Sequence, residues 1–377
     1  MDLRPNGQRG KGSRAGPRYC RRVPTPTRSR PTGSGGGTVY TGRTVKPRRN
    51  WKRISLIGGG VAVVLILLLG GYAYARVQTL NGNITRTDPF AGLGDRPHKT
   101  VDGAQNILVV GDDNADGSRG YQGVEGQRTD AIILLHIPAD HTKAYLISIP
   151  RDTYVSVPKA KNGLGGNKTK INAAYSYGGA PLLIQTVENF TDVHIDHLVV
   201  IGFAGFKTMT DALGGVDVTV DKTVTDPRSK RTFTKGVNHL DGTAALDYVR
   251  QRYGLPNSDF DRQKRAQIFL KALLKKATST GTLTDPGKLN AFLDAATKSV
   301  TADEQFSLTD MAFQFKGLRA ADISFVTMPN LGSVLIGGVS YVKSDKTKAS
   351  ALFSAVSNDT MADWAKTHPV NNADSGS

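Results

Sequence analysis

Asn106-Ile107-Leu108-Val109-Val110-Gly111-Asp112-Asp113 decides the reading of the fold. A short apolar run closed by a glycine, with two carboxylates just past its end, is the pattern of a buried strand running into a loop. The pattern repeats downstream. A polar, glycine-rich loop runs to Gln127, and Arg128-Thr129-Asp130 leads into a second strand over residues 131–137. A third strand over 143–149 ends at Pro150-Arg151-Asp152. Residues 171–177 and 181–190 read as helices, 197–201 as a strand, 203–213 as a helix, 216–220 as a strand and 240–248 as a helix. Alternating strands and helices predict an α/β fold, a layered α-β-α domain around a mixed central sheet. No internal repeat interrupts it.

Ligands of such domains bind beyond the carboxyl ends of the strands. Asp113 and Arg151 hold positions of that kind. Arg128 and Asp130 precede a strand, so they join the same rim only if that strand runs antiparallel to the first.

Further on, Tyr248-Val249-Arg250-Gln251-Arg252 is followed by Asp259-Phe260-Asp261-Arg262-Gln263-Lys264-Arg265-Ala266-Gln267. A solvated charged face is one reading. A set of guanidinium groups gripping phosphate oxygens is the other, because arginine offers a planar fork of donors and keeps its proton. The spacing favours the second. Ala266, Phe269, Leu270, Leu273, Leu274 and Ala277 make one buried helical stripe, and the stripe continues backwards through Arg262 and Asp259. A charge on an inward stripe needs a partner or a wet pocket. Arg250 and Arg252 stand two apart, so on an extended segment they point the same way, and Gly254 and Pro256 break the chain before the helix.

Upstream, the charge is lopsided. Residues 1–53 hold fifteen basic side chains and one acid, Asp2, so they carry +14 of the chain's +17. The rest is nearly neutral, and bulk charge is no argument for a nucleic-acid partner. The tail is rich in Gly, Pro, Ser and Thr and is expected to be disordered. Residues 54–75, ISLIGGGVAVVLILLLGGYAYA, carry no charge. That length crosses a hydrocarbon core, which needs roughly 20 residues. Ala73-Tyr74-Ala75 has the look of a cleavage site, but the basic region is too long and the apolar run exceeds a signal peptide's usual 7–15 or so residues. The segment reads as an uncleaved single-pass signal anchor with a cytoplasmic N-terminus. Residues 76–104 read as a polar stalk, 105–360 as an extracytoplasmic domain with its core at 105–277, and 361–377 as a polar C-terminal tail. The single cysteine, Cys20, lies in the basic tail, so the outer domain has no disulfide.

Two loop carboxylates, Asp113 and Asp130, without neighbouring His or Cys, suit a hard cation with oxygen ligands, although loop aspartates are more often turn residues. His194 and His197 flank a turn and read as structural. There is no nucleophile elbow and no phosphate loop of the Walker type.

The order of the motifs resembles the LytR-CpsA-Psr family. They are the opening strand, Arg128-Thr129-Asp130, Ser148-Ile149-Pro150-Arg151-Asp152, Lys170-Ile171-Asn172-Ala173-Ala174-Tyr175, Gly214-Gly215-Val216-Asp217-Val218, Ala245 to Arg252, and the Asp259–Arg262–Arg265 spacing. The resemblance is close from Gln105 to Ala277 and looser to Thr360. It implies a membrane-bound phosphotransferase that moves a glycopolymer, such as a teichoic acid, from an undecaprenyl-pyrophosphate carrier to peptidoglycan through a phosphodiester link. It implies pyrophosphate-binding roles for Arg128, Arg151, Arg250, Arg252 and Arg262, with Arg265 beside them, and catalytic roles for Arg151, Arg250, Arg252, Arg262 and Asp130. It also implies magnesium, or manganese, at Asp113 and Asp130, and a prenyl chain in an apolar cavity between sheet and helices. Asp130 and Asp152 are the candidates for deprotonating the acceptor. The chain departs from the family at Ala266, where the pattern has Gln; Gln267 lies one position, about 100°, further round. Two other functions fit the same residues: hydrolysis of lipid pyrophosphates, or a non-enzymatic wall-binding or regulatory module.

Overall fold

The computed structural model describes residues 71–112, 129–255, 259–315 and 318–372. The basic tail, the first seventeen residues of the apolar run, Asp113 and Arg128 lie outside these. Residues 71–83 are helical, and among the described residues no helix is long and apolar enough to cross a membrane.

Eight strands form one mixed sheet. In chain order they are β1 (Thr85–Thr87), β2 (Gln105–Asp112), β3 (Thr129–Ile137), β4 (Ala144–Ser148), β5 (His197–Gly202), β6 (Val300–Asp303), β7 (Ile323–Thr327) and β8 (Asn371–Asn372). Across the sheet they run β1-β6-β5-β2-β3-β4-β7-β8. β5 pairs with β2 and β7 with β4 in parallel, whereas β3 runs antiparallel to both its neighbours. The mixed α/β architecture is the one expected.

Alternation along the strands sorts the two faces. Leu108, Val110, Ile132, Leu134, Leu198 and Val200 belong to the largest core. Helix α1 (Ile171–Thr191) covers that face with Leu183, Ile184 and Val187. The two helices expected at 171–177 and 181–190 are present within this element, parted by a non-helical kink at Gly178 and Gly179. Gly179 takes φ 64°, a conformation open to glycine, and Pro181 follows. On the opposite face lie α2 (Phe203–Ala212), α3 (Gly242–Arg250) and α4 (Asp259–Ala277). Leu270 and Leu274 of α4 pack on Phe325 and Leu146, so the predicted apolar stripe does seat this helix on the sheet.

Two segments differ from their predicted roles. The expected stalk is part of the fold. β1 pairs with β6, Leu80 and Ile84 are buried, and Phe90 and Leu93 pack on the main core. Arg96 holds the segment down: its Nε and Nη2 donate to the carboxylate of Glu188, which is 2% exposed. Glu188 Oε1 also accepts from Ile195 N at 2.9 Å. These anchors are spaced too irregularly to show a period, which is why the stretch reads as linker. The expected C-terminal tail also joins the fold over its described residues, 361–372. Met361 is fully buried, Trp364 packs on the core and β8 pairs with β7. Its few apolar side chains are likewise too sparse for a pattern.

Removing one partner of a buried ion pair leaves the other charge uncompensated, at a cost of roughly 3 kcal/mol. Arg96→Ala is therefore expected to lower the urea midpoint by that equivalent with an unchanged slope. An unaltered midpoint would show that residues 85–104 contribute little to the fold.

Candidate functional site

The reversal of β3 makes the site. β2, β4, β5 and β7 all point their carboxyl ends to one rim, and because β3 runs the other way its first residues lie at that rim too. Asp130 thereby comes beside Arg151, which follows β4. Arg151 Nη1 donates to Asp130 Oδ1.

Helix α3 brings the arginine strip to the same place. Asp241 caps it, accepting from Ala244 N at 2.7 Å, and its last residue is Arg250. The backbone then turns extended at Gln251, with φ −61° and ψ 127°. The expectation that Arg250 and Arg252 share one extended segment is thus corrected: one ends a helix and the other begins a link. Both still arrive. The Arg250 guanidinium lies 4.6 Å over the Phe203 ring, at the start of α2. Arg252 Nη2 lies 3.3 Å from Asp130 Oδ1. From the first turn of α4, Arg262, 4% exposed, donates Nη1 to the Asp130 carbonyl at 2.8 Å. Three guanidinium groups from three elements therefore bond to one residue.

Arg265 is not among them. It lies on another flank of α4, buried over the Tyr248 ring at 4.6 Å and the Phe233 ring at 5.5 Å, with Nη1 donating to Gln251 Oε1. Grouping it with the others is corrected by helix geometry, since residues three apart diverge by about 60° around the axis. Burial lowers the Arg265 pKa and pushes the Tyr248 hydroxyl up to about 12. Asp152 is paired with Lys170 Nζ at 3.1 Å and does not line the cavity described next. Asp113 and Arg128 fall outside the described residues. His194 meets the Pro97 carbonyl and His197 the Asp303 carboxylate, so both serve packing.

Behind the arginines a cavity of about 190 Å³ runs between the sheet and α2–α4. Val109, Ile133, Phe206, Leu246 and Leu273 are among its walls, while Asp130, Arg151, Arg250 and Arg262 stand at its polar end. Ala266 and Gln263 line it as well. Gln267 faces the rim, donating Nε2 to Ser148 Oγ at 3.1 Å and Thr327 Oγ1 at 2.8 Å. The walls come from eight separate elements and carry no shared sequence pattern, which hid them from sequence reasoning. An apolar slot ending in fixed guanidinium groups suits an amphiphile with a multiply charged anionic head.

The sequence model of the LytR_cpsA_psr family matches residues 71–358. "Cell wall biosynthesis protein LcpA" of Corynebacterium glutamicum is 33% identical over 299 residues, which is 71% of this chain and 58% of that protein. The chain thus spans less than two thirds of that relative. "Polyisoprenyl-teichoic acid--peptidoglycan teichoic acid transferase TagU" of Bacillus cereus is 31% identical over 259 residues, 66% of this chain and 80% of its own. Among solved structures, "TagT bound to LI-WTA" superposes with a TM-score of 0.54 at 25% identity, covering 72% of this chain and 99% of that one.

Asp130 competes with any anion for the arginines that bond to it. In metal-free buffer the full-length Asp130→Asn variant in detergent micelles is expected to bind inorganic pyrophosphate about threefold to tenfold more tightly than the parent by calorimetry. Weaker binding by the variant would mean that the carboxylate holds the guanidinium groups in place and does not compete for them.

Proposed function

The chain belongs to the LytR_cpsA_psr family, and from that premise we propose that it is a membrane-anchored phosphotransferase. It moves a glycopolymer from an undecaprenyl-pyrophosphate carrier to peptidoglycan, leaving a phosphodiester link. One observation carries the reading: the apolar cavity that ends on Arg151, Arg250, Arg262 and Asp130. A prenyl pyrophosphate is an apolar chain joined to a diphosphate, and the slot is its complement in shape and charge. The name of the Bacillus cereus relative, a polyisoprenyl-teichoic acid transferase acting on peptidoglycan, supports both the lipid carrier and the acceptor.

In the proposed reaction a hydroxyl oxygen of the acceptor attacks the phosphorus that bears the glycan. The bond from that phosphorus to the bridging oxygen breaks, and prenyl phosphate leaves. Negative charge grows on the bridging oxygen. Arg151, Arg252 and Arg262 turn from Asp130 to the phosphate oxygens and stabilise that charge, and Arg250, stacked on Phe203, is already aimed into the cavity. Phosphoryl transfer asks a protein chiefly for positioning and electrostatics, so no protein nucleophile is required. The acceptor's proton passes to the departing prenyl phosphate. The cavity walls exclude water from the chain side and disfavour hydrolysis.

Magnesium belongs to the proposal. A single carboxylate at a polar mouth fits an ion that is held by one or two carboxylates together with substrate phosphates, so Asp130, with Asp113, would hold it. Bound there, it would neutralise charge on the pyrophosphate. The uncharged run at 54–75 supplies the anchor and keeps the lipid within reach.

The test is direct. The full-length protein in micelles, given a prenyl-pyrophosphate-linked glycan and peptidoglycan, is expected to form a glycan–peptidoglycan phosphodiester. Arg250→Ala combined with Arg252→Ala is expected to slow it by about 100-fold or more. Release of free phosphorylated glycan as the sole product would establish hydrolysis instead.

A further inference from the structure

Arg265 has no use in the reaction just described, and its charge is only half answered by the fold. The side chain is 7% exposed, and among the described residues no carboxylate forms an ion pair with it. Buried charges are ordinarily paired. The Tyr248 and Phe233 rings lie against it, and Nη1 donates to Gln251 Oε1. Nε and Nη2 donate to nothing among the described residues, and neither is sealed from solvent. Those two nitrogens form the side-on edge of a guanidinium, the fork that takes a phosphate or carboxylate by two parallel bonds. Arg96 uses that same edge to hold Glu188. Arg265 lines a second pocket, of about 550 Å³, on the flank of α4 turned away from the prenyl slot. We infer that this pocket is a subsite for a phosphate-bearing sugar unit of the donor glycan, with the phosphate seated on Arg265. The inference rests on the proposed function.

The lining selects the ligand. Asp261, Lys264, Arg265 and Ile268 make one i, i+3, i+4, i+7 stripe of α4, and residues 219–222 face them across the pocket. Lys222 and Lys264 beside Arg265 favour a multiply charged anion. The carboxylates of Asp221 and Asp261 accept hydrogen bonds only, so they suit hydroxyl groups and repel a bare phosphate. A phosphate that carries hydroxyls, with room around it, answers both signs of charge. Position then selects the donor. Arg252 bonds to Asp130 at the polar end of the slot and stands two residues before Gly254, which lines this pocket. At most about 7 Å of chain separates them. A glycan leaving the pyrophosphate at Arg252 meets this pocket next. Packing alone does not account for Arg265. A neutral side chain would fill the same space without the desolvation that lowers its pKa.

The experiment first saturates the full-length protein in micelles with farnesyl pyrophosphate, which fills the slot and its arginines. Glucose 6-phosphate is then titrated by calorimetry. The parent is expected to bind one further equivalent, at least about fivefold more tightly than it binds inorganic phosphate. Arg265→Lys keeps the charge and removes the fork. It is expected to weaken glucose 6-phosphate about tenfold and to leave farnesyl pyrophosphate within about twofold of the parent. Thr219→Glu leaves Arg265 in place and adds a carboxylate at an exposed position of the lining. It is expected to weaken glucose 6-phosphate by a similar factor and to melt no lower than the parent. Unchanged affinity in either variant, or no second equivalent in the parent, overturns the subsite. Inorganic phosphate binding as tightly as the sugar phosphate overturns it too, since the pocket would then be an adventitious anion site. Tighter binding of a muramyl dipeptide than of glucose 6-phosphate would give the pocket to the acceptor and overturn its assignment to the donor. Failure of the parent to bind farnesyl pyrophosphate overturns the proposed function, and with it that assignment, whatever glucose 6-phosphate does.

Discussion

The structure depends on what happens at Asp130. Its carboxylate accepts from Arg151 and Arg252 while its carbonyl accepts from Arg262. Guanidinium groups repel one another, and the repulsion is strong where water is scarce. A carboxylate among them lowers that cost in the resting protein. It cannot do so as a permanent ion-pair partner, because an anion with more charge and more oxygens will displace it. The same contact that makes the resting cluster tolerable also makes it responsive to a ligand.

Asp130 occupies that place only because β3 is reversed. In an all-parallel sheet the start of a strand faces the end opposite to the binding rim. Here β3 runs antiparallel to β2 and β4, so a strand-initiating residue and a strand-terminating arginine become neighbours. The arginines also arrive by different routes: a loop after β4, the last turn of α3, an extended link, and the first turn of α4. Their backbones thus converge from four directions on one carboxylate, and only the side chains need turn to meet a ligand.

Much of this was readable beforehand, for physical reasons. Strand and helix periods are local properties, so the central strands and the buried stripe of α4 could be read from residues close together in sequence. Arg262 could be found because its charge interrupts an apolar stripe. Arg265 was grouped with it since both are arginines of one motif, but three residues of helix turn it away to Tyr248 and Phe233. Residues 76–104 read as a linker because their anchors, the buried Leu80 and Ile84 and the core-packed Phe90 and Leu93, follow no regular spacing. Gln263 gave no signal at all. An amide next to an arginine on a helix is ordinary in sequence, and only the absence of a partner for its oxygen sets it apart.

The first turns of α4 break several rules at once. A buried arginine faces inward, an amide oxygen lacks a donor, and a small alanine stands where a larger side chain could pack. Each feature alone destabilises by about a kcal/mol or more. A helix can tolerate them only if the rest of it is well seated, and the next three turns supply that seating. Phe269 is buried against Phe206 at a ring distance of 4.7 Å, and Leu270 and Leu274 pack on the sheet. The helix thus divides along its length into a functional end that is locally unfavourable and an anchoring end that compensates. Local inconsistency of this kind gathers where a ligand is meant to complete the structure.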